Sequence, residues 1–284
     1  MPTFPTPAPV SIAVDLWIGD LRVIGANVTE TTVDVRPASG SAADARAAEL
    51  MRAEHISDLI VVHAPKDWKR YTWFSNDGSV DVTVTVPAGS SVNATGQMTQ
   101  VRCEGALGEV AVKTSMGAIR VDSCTTLQAK SGHGDVTVAV VAGDASATTG
   151  SGRITLGEVG GSAKVWNSNG DSEIDVAHGP VVVKSPNGGA RIRRAAGGSV
   201  QVKAAVGTIV VDELATGSAT LTTSTGGIEV GIPAGAAAWV DADTKYGRVH
   251  SALDPTDAPQ PDAPSVQVRA HTSYGDITIR RATA

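Results

Sequence analysis

The chain has 284 residues, 42% of them hydrophobic but only 4% aromatic, so its apolar content is mostly Val, Ala, Ile and Leu. So few large side chains exclude a thick globular core and predict a thin, regular interior such as a stack of short strands. A net charge of −6 excludes a protein whose main partner is nucleic acid, since neutralising phosphates needs a basic surface, and no apolar run reaches the ~18–20 residues of a membrane-spanning helix.

In chain order, residues 1–9 are Pro-rich and uncharged and read as a flexible N-terminus. They lack the basic, apolar and small-residue regions of a secretory leader, which predicts a cytoplasmic location. DLWIGDLRV around Gly19 resembles one rung of a repeat, with TTVDVRP as its partner strand. Ser41 to Glu54 (SAADARAAELMRAE) is Ala-rich and predicts a helix, with Ala45, Leu50 and Met51 available to one face. LIVVHAP and SVDVTVTVPAG alternate strongly and predict strands. Residues 10–100 are expected to form an N-terminal cap with the first coils, continuous with the repeats after residue 100; a separate small domain is the alternative.

From residue 101 to 284 one pattern organises the chain: a glycine preceded by small polar residues and followed by alternating apolar ones. It recurs at Gly117, Gly134, Gly152, Gly170, Gly188, Gly207, Gly226, Gly247 and Gly275, with spacings of 17, 18, 18, 18, 19, 19, 21 and 28 residues. A near-fixed period of this size predicts an all-β, single-stranded β-solenoid with about 18–19 residues per coil. Apolar pairs stand seven and five residues before the glycine (Val110 and Val112, Val181 and Val183, Val200 and Val202) and two and four after it (Ile119 and Val121, Ile154 and Leu156, Ile209 and Val211). Each pair has period two, so both members face one side of a strand. The glycine opens the turn between the two strands, where the backbone needs a positive φ or a Cβ would strike the next coil. A few residues per coil remain for a third short side or a loop.

Three residues before each glycine runs a column of small polar side chains, Thr114, Ser131, Thr149, Asn167, Ser185, Thr223, Thr244 and Thr272, interrupted by Ala204. It is expected to form a hydrogen-bonded ladder up the stack, the competing reading being a row of nucleophiles. Ser172 and Ala190 occupy apolar columns and mark places where the repeat is expected to bend. The Pro-rich stretch 253–264 interrupts the period and predicts an exposed loop.

The series GDLRV, SVDVTVTVPAGSSV, KSGHGDVTV, WNSNGD and HTSYGDITIRR closely resembles the bacterial β-strand-repeat family called putative adhesin (domain of unknown function 4097), in its actinobacterial form. The resemblance spans about residues 10 to 281. It implies a β-helix fold and a surface location. It implies no reaction and brings no catalytic residues.

Candidate chemistry is sparse. His55, His63, His133, His178, His250 and His271 make no metal-ligand spacing with one another, with Cys or with carboxylates. Asp135, Asp171 and Asp276 each follow a turn glycine, a position that stabilises turns; calcium-binding repeats use a denser pattern. Cys103 and Cys124 are too few for a disulfide framework and read as buried free thiols, with a bond between neighbouring coils as the alternative. Lys113, Lys130, Lys184 and Lys203 stand four residues before their glycines and should share an outer face with Trp166, while Lys164, Arg191, Arg193 and Arg194 add charge in the same coils. That face is either a solvated surface that blunts aggregation or a docking strip for an acidic protein or polymer. Trp68 and Trp73, in DWKRYTWF, form an aromatic cluster that packs on the cap or recognises a partner.

No catalytic residue, cofactor or metal is expected. The function anticipated is a non-enzymatic scaffold or protein-interaction module able to self-associate through its end coils, such as the terminal DITIRRATA. The alternative is a surface adhesin or glycan-binding protein.

Overall fold

The structure is a computed structural model that describes residues 2–64, 78–253 and 265–282. The chain divides into two compact units, residues 1–140 and 141–284. Both are almost wholly β, and the chain is a β-solenoid.

The N-terminal unit comprises β1 (Thr3–Pro5), β2 (Ser11–Ala26), β3 (Glu30–Pro37), α1 (Ala42–Leu50), β4 (Arg52–Ile56), β5 (Leu59–His63), β6 (Val80–Pro87), β7 (Ser91–Met116), β8 (Ile119–His133) and β9 (Val136–Val141). Its parallel part is β2–β7–β8. Ile12, Val14, Leu21 and Val23 of β2 lie in register with Val92, Ala94, Val101 and Cys103 of β7, and all are buried. The coil columns therefore already exist in β2 and β7. A search on glycines alone misses the β7 coil because Thr99 stands where Gly19 and Gly117 stand in its neighbours.

On its other side β2 pairs with β5 and β6. There the parallel stack gives way to antiparallel pairs: β6 with β3, β3 with β1, and β5 with β4. TTVDVRP is thus part of this antiparallel end rather than the partner strand of the Gly19 coil.

The helix is shorter than its composition predicts. It stops at Leu50, and Arg52–Ile56 turns back as a hairpin strand against Leu59–His63. Backbone pairing with β5 outcompetes alanine propensity there. Its inward residues are Asp44 and Ala47, whereas Ala45 is exposed. The Asp44 carboxylate is tied to Ser39 Oγ at 2.5 Å and the Ser79 amide at 2.8 Å, while Ser41 caps the helix by accepting from the Asp44 amide at 3.1 Å. These bonds, that from Ser39 foremost, hold the Asp44 pKa below its ordinary value.

In the C-terminal unit each turn glycine joins two strands. Those before it are β10 (Ala145–Ser151), β12 (Ala163–Asn169), β14 (Val181–Asn187), β16 (Ser199–Val206), β18 (Gly217–Thr225), β20 (Ala237–Tyr246) and β22 (Ser265–Tyr274). Those after it are β11 (Ile154–Val159), β13 (Ser172–Ala177), β15 (Ala190–Ala195), β17 (Ile209–Leu214), β19 (Ile228–Ile232), β21 (Val249–Ser251) and β23 (Ile277–Arg281). Every pairing is parallel and joins equivalent positions of successive coils: Ala163 to Val181, Val181 to Val200, Val200 to Ala219, Ala219 to Val268. Seven residues after the glycine lies a third buried column, Cys124, Val141, Val159, Ala177, Ala195 and Leu214. It closes the short third side of each coil. Ser172 and Ala190 keep full register with their neighbours, so the repeat does not bend at either. The Ser172 hydroxyl is buried without a hydrogen-bond partner among the described residues.

The stacking order departs from chain order at one place. β18 pairs with β22, and β22 with β20; likewise β19 pairs with β23, and β23 with β21. The Gly275 coil is therefore inserted between the Gly226 and Gly247 coils. The C-terminal strand is covered on both sides, and the Gly247 coil ends the stack.

The corners explain the glycines. A Cβ on Gly207 would lie 2.2 Å from the carbonyl oxygen of Gly188, and φ there is +149°. The same approach repeats at Gly226 over Gly207, at Gly275 over Gly226 and at Gly247 over Gly275. Gly247 alone among the turn glycines lacks the positive φ, in keeping with its place at the end. The polar ladder serves these corners. Its side chains donate to corner carbonyls rather than to one another: Ser131 to Gly117 O at 3.0 Å, Asn167 to Gly152 O at 3.0 Å, Thr223 to Gly207 O at 3.1 Å, and Thr272 to Gly226 O at 3.0 Å. All four donors are buried, so each bond satisfies a hydroxyl or amide that would otherwise be costly to bury.

Gly207→Ala is expected to destabilise by about 1–3 kcal/mol from backbone strain alone, with the overlap onto Gly188 adding to it. Gly40→Ala, with nothing within 4 Å of the new Cβ, should be near neutral. Urea midpoints of the two variants check this.

Candidate functional site

At the end of the C-terminal stack, β20 pairs only with β22 among the described strands, and no other described strand lies along its outer edge. The Tyr246 carbonyl accepts from the Gly275 amide at 3.1 Å. The ladder breaks at Lys245, and before it the phase follows the neighbouring coils: the Ser218 amide, in line with Gln267 and Trp239, donates back to the preceding coil at the Gly198 carbonyl, 3.3 Å. Backbone groups alternate in direction along a strand, so Trp239, Asp241 and Asp243 turn theirs toward β22, and the amides and carbonyls of Ala238, Val240, Ala242 and Thr244 turn away from it. Side chains that would be core elsewhere are also less covered here. Val240 and Ala242 are half-buried, whereas Val268 and Ala270, in register beside them, are buried.

Exposed aromatics gather at this end. Trp239 is 53% exposed, and Tyr246 and Tyr274 are each 55% exposed. The two tyrosine rings stack at 4.8 Å with planes 13° apart. Lys245 lies 5.3 Å over Tyr246, and Arg269 lies 5.5 Å over Trp239. Asp243 pairs with His271 at 3.2 Å. Residue-by-residue reading passes over this cluster, although DTKYG and HTSYG carry tyrosine at the same position of successive repeats.

The predicted lysine face separates into two parts. Lys113 and Lys130 are in register on β7 and β8. Trp166, Lys184 and Lys203 are in register on β12, β14 and β16. Lys184 lies 5.3 Å over the Trp166 ring, which is 49% exposed. Trp68 and Trp73 lie outside the described residues. Arg191, Arg193 and Arg194 sit on the strand after the glycine, so they do not extend the lysine face. Instead they enter a charge ladder: Arg193 with Glu173 at 2.7 Å and Asp175 at 3.3 Å, Arg191 with Asp212 at 2.8 Å, and Arg194 with Glu213 at 3.5 Å.

Two of the turn aspartates bond to the next corner in the stack. Asp171 Oδ1 accepts from the Gly189 amide and Asp276 Oδ1 from the Arg248 amide, each at 2.8 Å. Their chemistry is structural. Among the described residues no group of three or more His, Cys, Asp or Glu comes close enough to hold a metal ion, and no helix is long and apolar enough to cross a membrane. In the N-terminal unit a shallow groove of about 210 Å3 is lined by Asp20, Arg22, Asp81, Gln100, Arg102 and Arg120. Partial burial, with the charge of Asp20 second, raises the pKa of Asp81. Arg22 is held by Glu104 at 2.7 Å.

With parallel coils, glycine corners and columns in place, the sequence profile described as Toastrack DUF4097 matches residues 52–280. The chain belongs to this family. Among solved structures, it is similar to a putative adhesin from Bacteroides fragilis (12% identity, 98% of this chain and 95% of that one, TM-score 0.37). It is similar also to a putative adhesin from Parabacteroides merdae (12%, 98% and 94%, TM-score 0.40) and to a putative lipid binding protein from Parabacteroides distasonis (10%, 98% and 95%, TM-score 0.40). No curated protein matches.

Cys103 and Cys124 are separate buried thiols. Burial pushes their pKa values up, to about 12 and about 11. The unfolded chain ionises its thiols above about 8.5 while the folded chain keeps them neutral. The stability they contribute is therefore whole below that pH and declines as pH rises toward the folded values. The urea midpoint is expected to fall between about pH 8.5 and 10, and less steeply in Cys103→Ala/Cys124→Ala.

Proposed function

We propose that this chain is a non-enzymatic β-solenoid interaction module, a scaffold that joins protein surfaces, including further copies of itself, through the uncovered Gly247 coil. The outer edge of β20, which no other described strand covers, carries this reading. A strand with a row of outward amides and carbonyls is a template for another strand, and exposed tyrosine, tryptophan and arginine are the side chains that interfaces favour. Sedimentation velocity over a wide concentration range, with negative-stain imaging, is expected to show concentration-dependent assembly. A strictly monomeric species throughout would count against the reading.

A second reading, a glycan-binding adhesin, is favoured by the exposed Trp166 ring under Lys184, since a flat aromatic face beside a cation suits an acidic sugar. It predicts binding on an acidic-glycan array that Trp166→Ala abolishes. Cell fractionation separates the two: a cytoplasmic pool accords with the scaffold, a surface pool with the adhesin.

A further inference from the structure

The geometry points to a closed two-fold dimer, in which the β20 edge pairs antiparallel with β20 of a second copy. This rests on the interaction-module reading and specifies its partner, symmetry and contacts. The first observation is the edge itself. Ala238, Val240, Ala242 and Thr244 turn their backbone groups outward, and β20 is ten residues long (Ala237–Tyr246). An antiparallel partner supplies every missing hydrogen bond and covers the half-buried Val240 and Ala242.

The second observation is charge. On the outward side-chain face of β20 run Asp241, Asp243 and Lys245. Antiparallel pairing of two identical strands makes residues meet in reciprocal pairs, so each favourable pair occurs twice. Registers that set Lys245 opposite Asp241 or Asp243 of the second copy give two opposite-charge pairs. In the first of these, Asp243 meets its own copy with His271 beside each carboxylate. The neighbouring register, Asp241 opposite Asp243, sets like charges face to face and is disfavoured.

The third observation is that the open edges among the described residues of the N-terminal unit are shorter: β4 (Arg52–Ile56), paired only with β5, has five residues and carries Arg52, Glu54 and His55. That unit finishes in antiparallel pairs and α1, and β1 is a three-residue strand, Thr3–Pro5, with Pro2 and Pro7 beside it. Short, proline-rich edges resist pairing. Without a complementary second edge a head-to-tail filament does not propagate, so the assembly closes at two copies.

The full chain and its variants would be compared by sedimentation velocity, with circular dichroism and thermal melting as controls for folding. Wild type is expected to form a dimer and nothing larger. Lys245→Glu alone, and Asp241→Lys/Asp243→Lys together, should each weaken self-association about tenfold or more. An equimolar mixture of the two should recover a dimer, because every cross-strand pair is then opposite in sign. Ala242→Pro removes an amide aimed away from the parent stack, so it should block the dimer while leaving the fold intact. A wild-type dimer that survives all of these changes overturns the β20 interface but leaves the interaction-module reading standing. So does assembly beyond two copies. A wild-type chain that stays monomeric overturns both.

Discussion

The structure depends on how closely one corner lies on the next. At turn after turn the α-carbon of a glycine rests against the carbonyl of the corner beside it, close enough that a Cβ would overlap it, as at Gly188 over Gly170 and Gly207 over Gly188. This contact sets the coil-to-coil register. Once two corners are seated, the strands on both sides fall into parallel pairing, and every backbone group finds a partner above or below. Valines and isoleucines then line up without further instruction. The buried ladder of Thr, Ser and Asn completes the corner by donating to carbonyls that the turn leaves without a strand partner.

The outer surface follows a different rule. Parallel stacking places identical positions beside each other, so a repeated lysine would meet a lysine in the next rung, as Lys184 meets Lys203. On the strands after the glycine the chain avoids this by alternating sign between coils. Glu173 and Asp175 face Arg193, and Asp212 lies between Arg191 and Arg280. These groups are partly exposed, so solvent screens each pair and its contribution to stability is modest. Their effect is to prevent like-charge repulsion along the stack. On the strands before the glycine, Trp166 stands beside the lysines, with its ring 49% exposed under Lys184.

The insertion of the last coil links fold to function. It covers the C-terminal strand and leaves the Gly247 coil outermost, with Tyr246, Trp239, Asp241 and Asp243. A chain stacked in sequence order would instead have presented β22 and β23, with Arg280 and Arg281 at the end of β23. In the observed order Arg280 is engaged by Glu229 and Asp212, and Arg281 donates to the Pro233 carbonyl at 2.9 Å. Both arginines are thus occupied inside the stack.

The sequence by itself determined the rung: its length, its inward columns, its glycine corner and its polar ladder. All of these are local or periodic, and each reflects a steric or hydrogen-bonding demand on a single position. It also held the signal for the coil at Thr99, in Val92, Ala94, Val101 and Cys103, although the missing glycine hid it. What only the tertiary structure decided is the order of the rungs and the extent of the helix. Every coil presents the same columns to its neighbours, so the pattern is equally satisfied by Gly275 lying beyond Gly247 or between Gly226 and Gly247. The insert DPTDAPQPDAP supplies the chain length for either. Likewise Arg52–Ile56 is helical by composition and becomes a strand because β5 offers it backbone partners. The uncovered edge arises from that choice of order, which involves contacts between segments distant in the chain, and no local pattern records it.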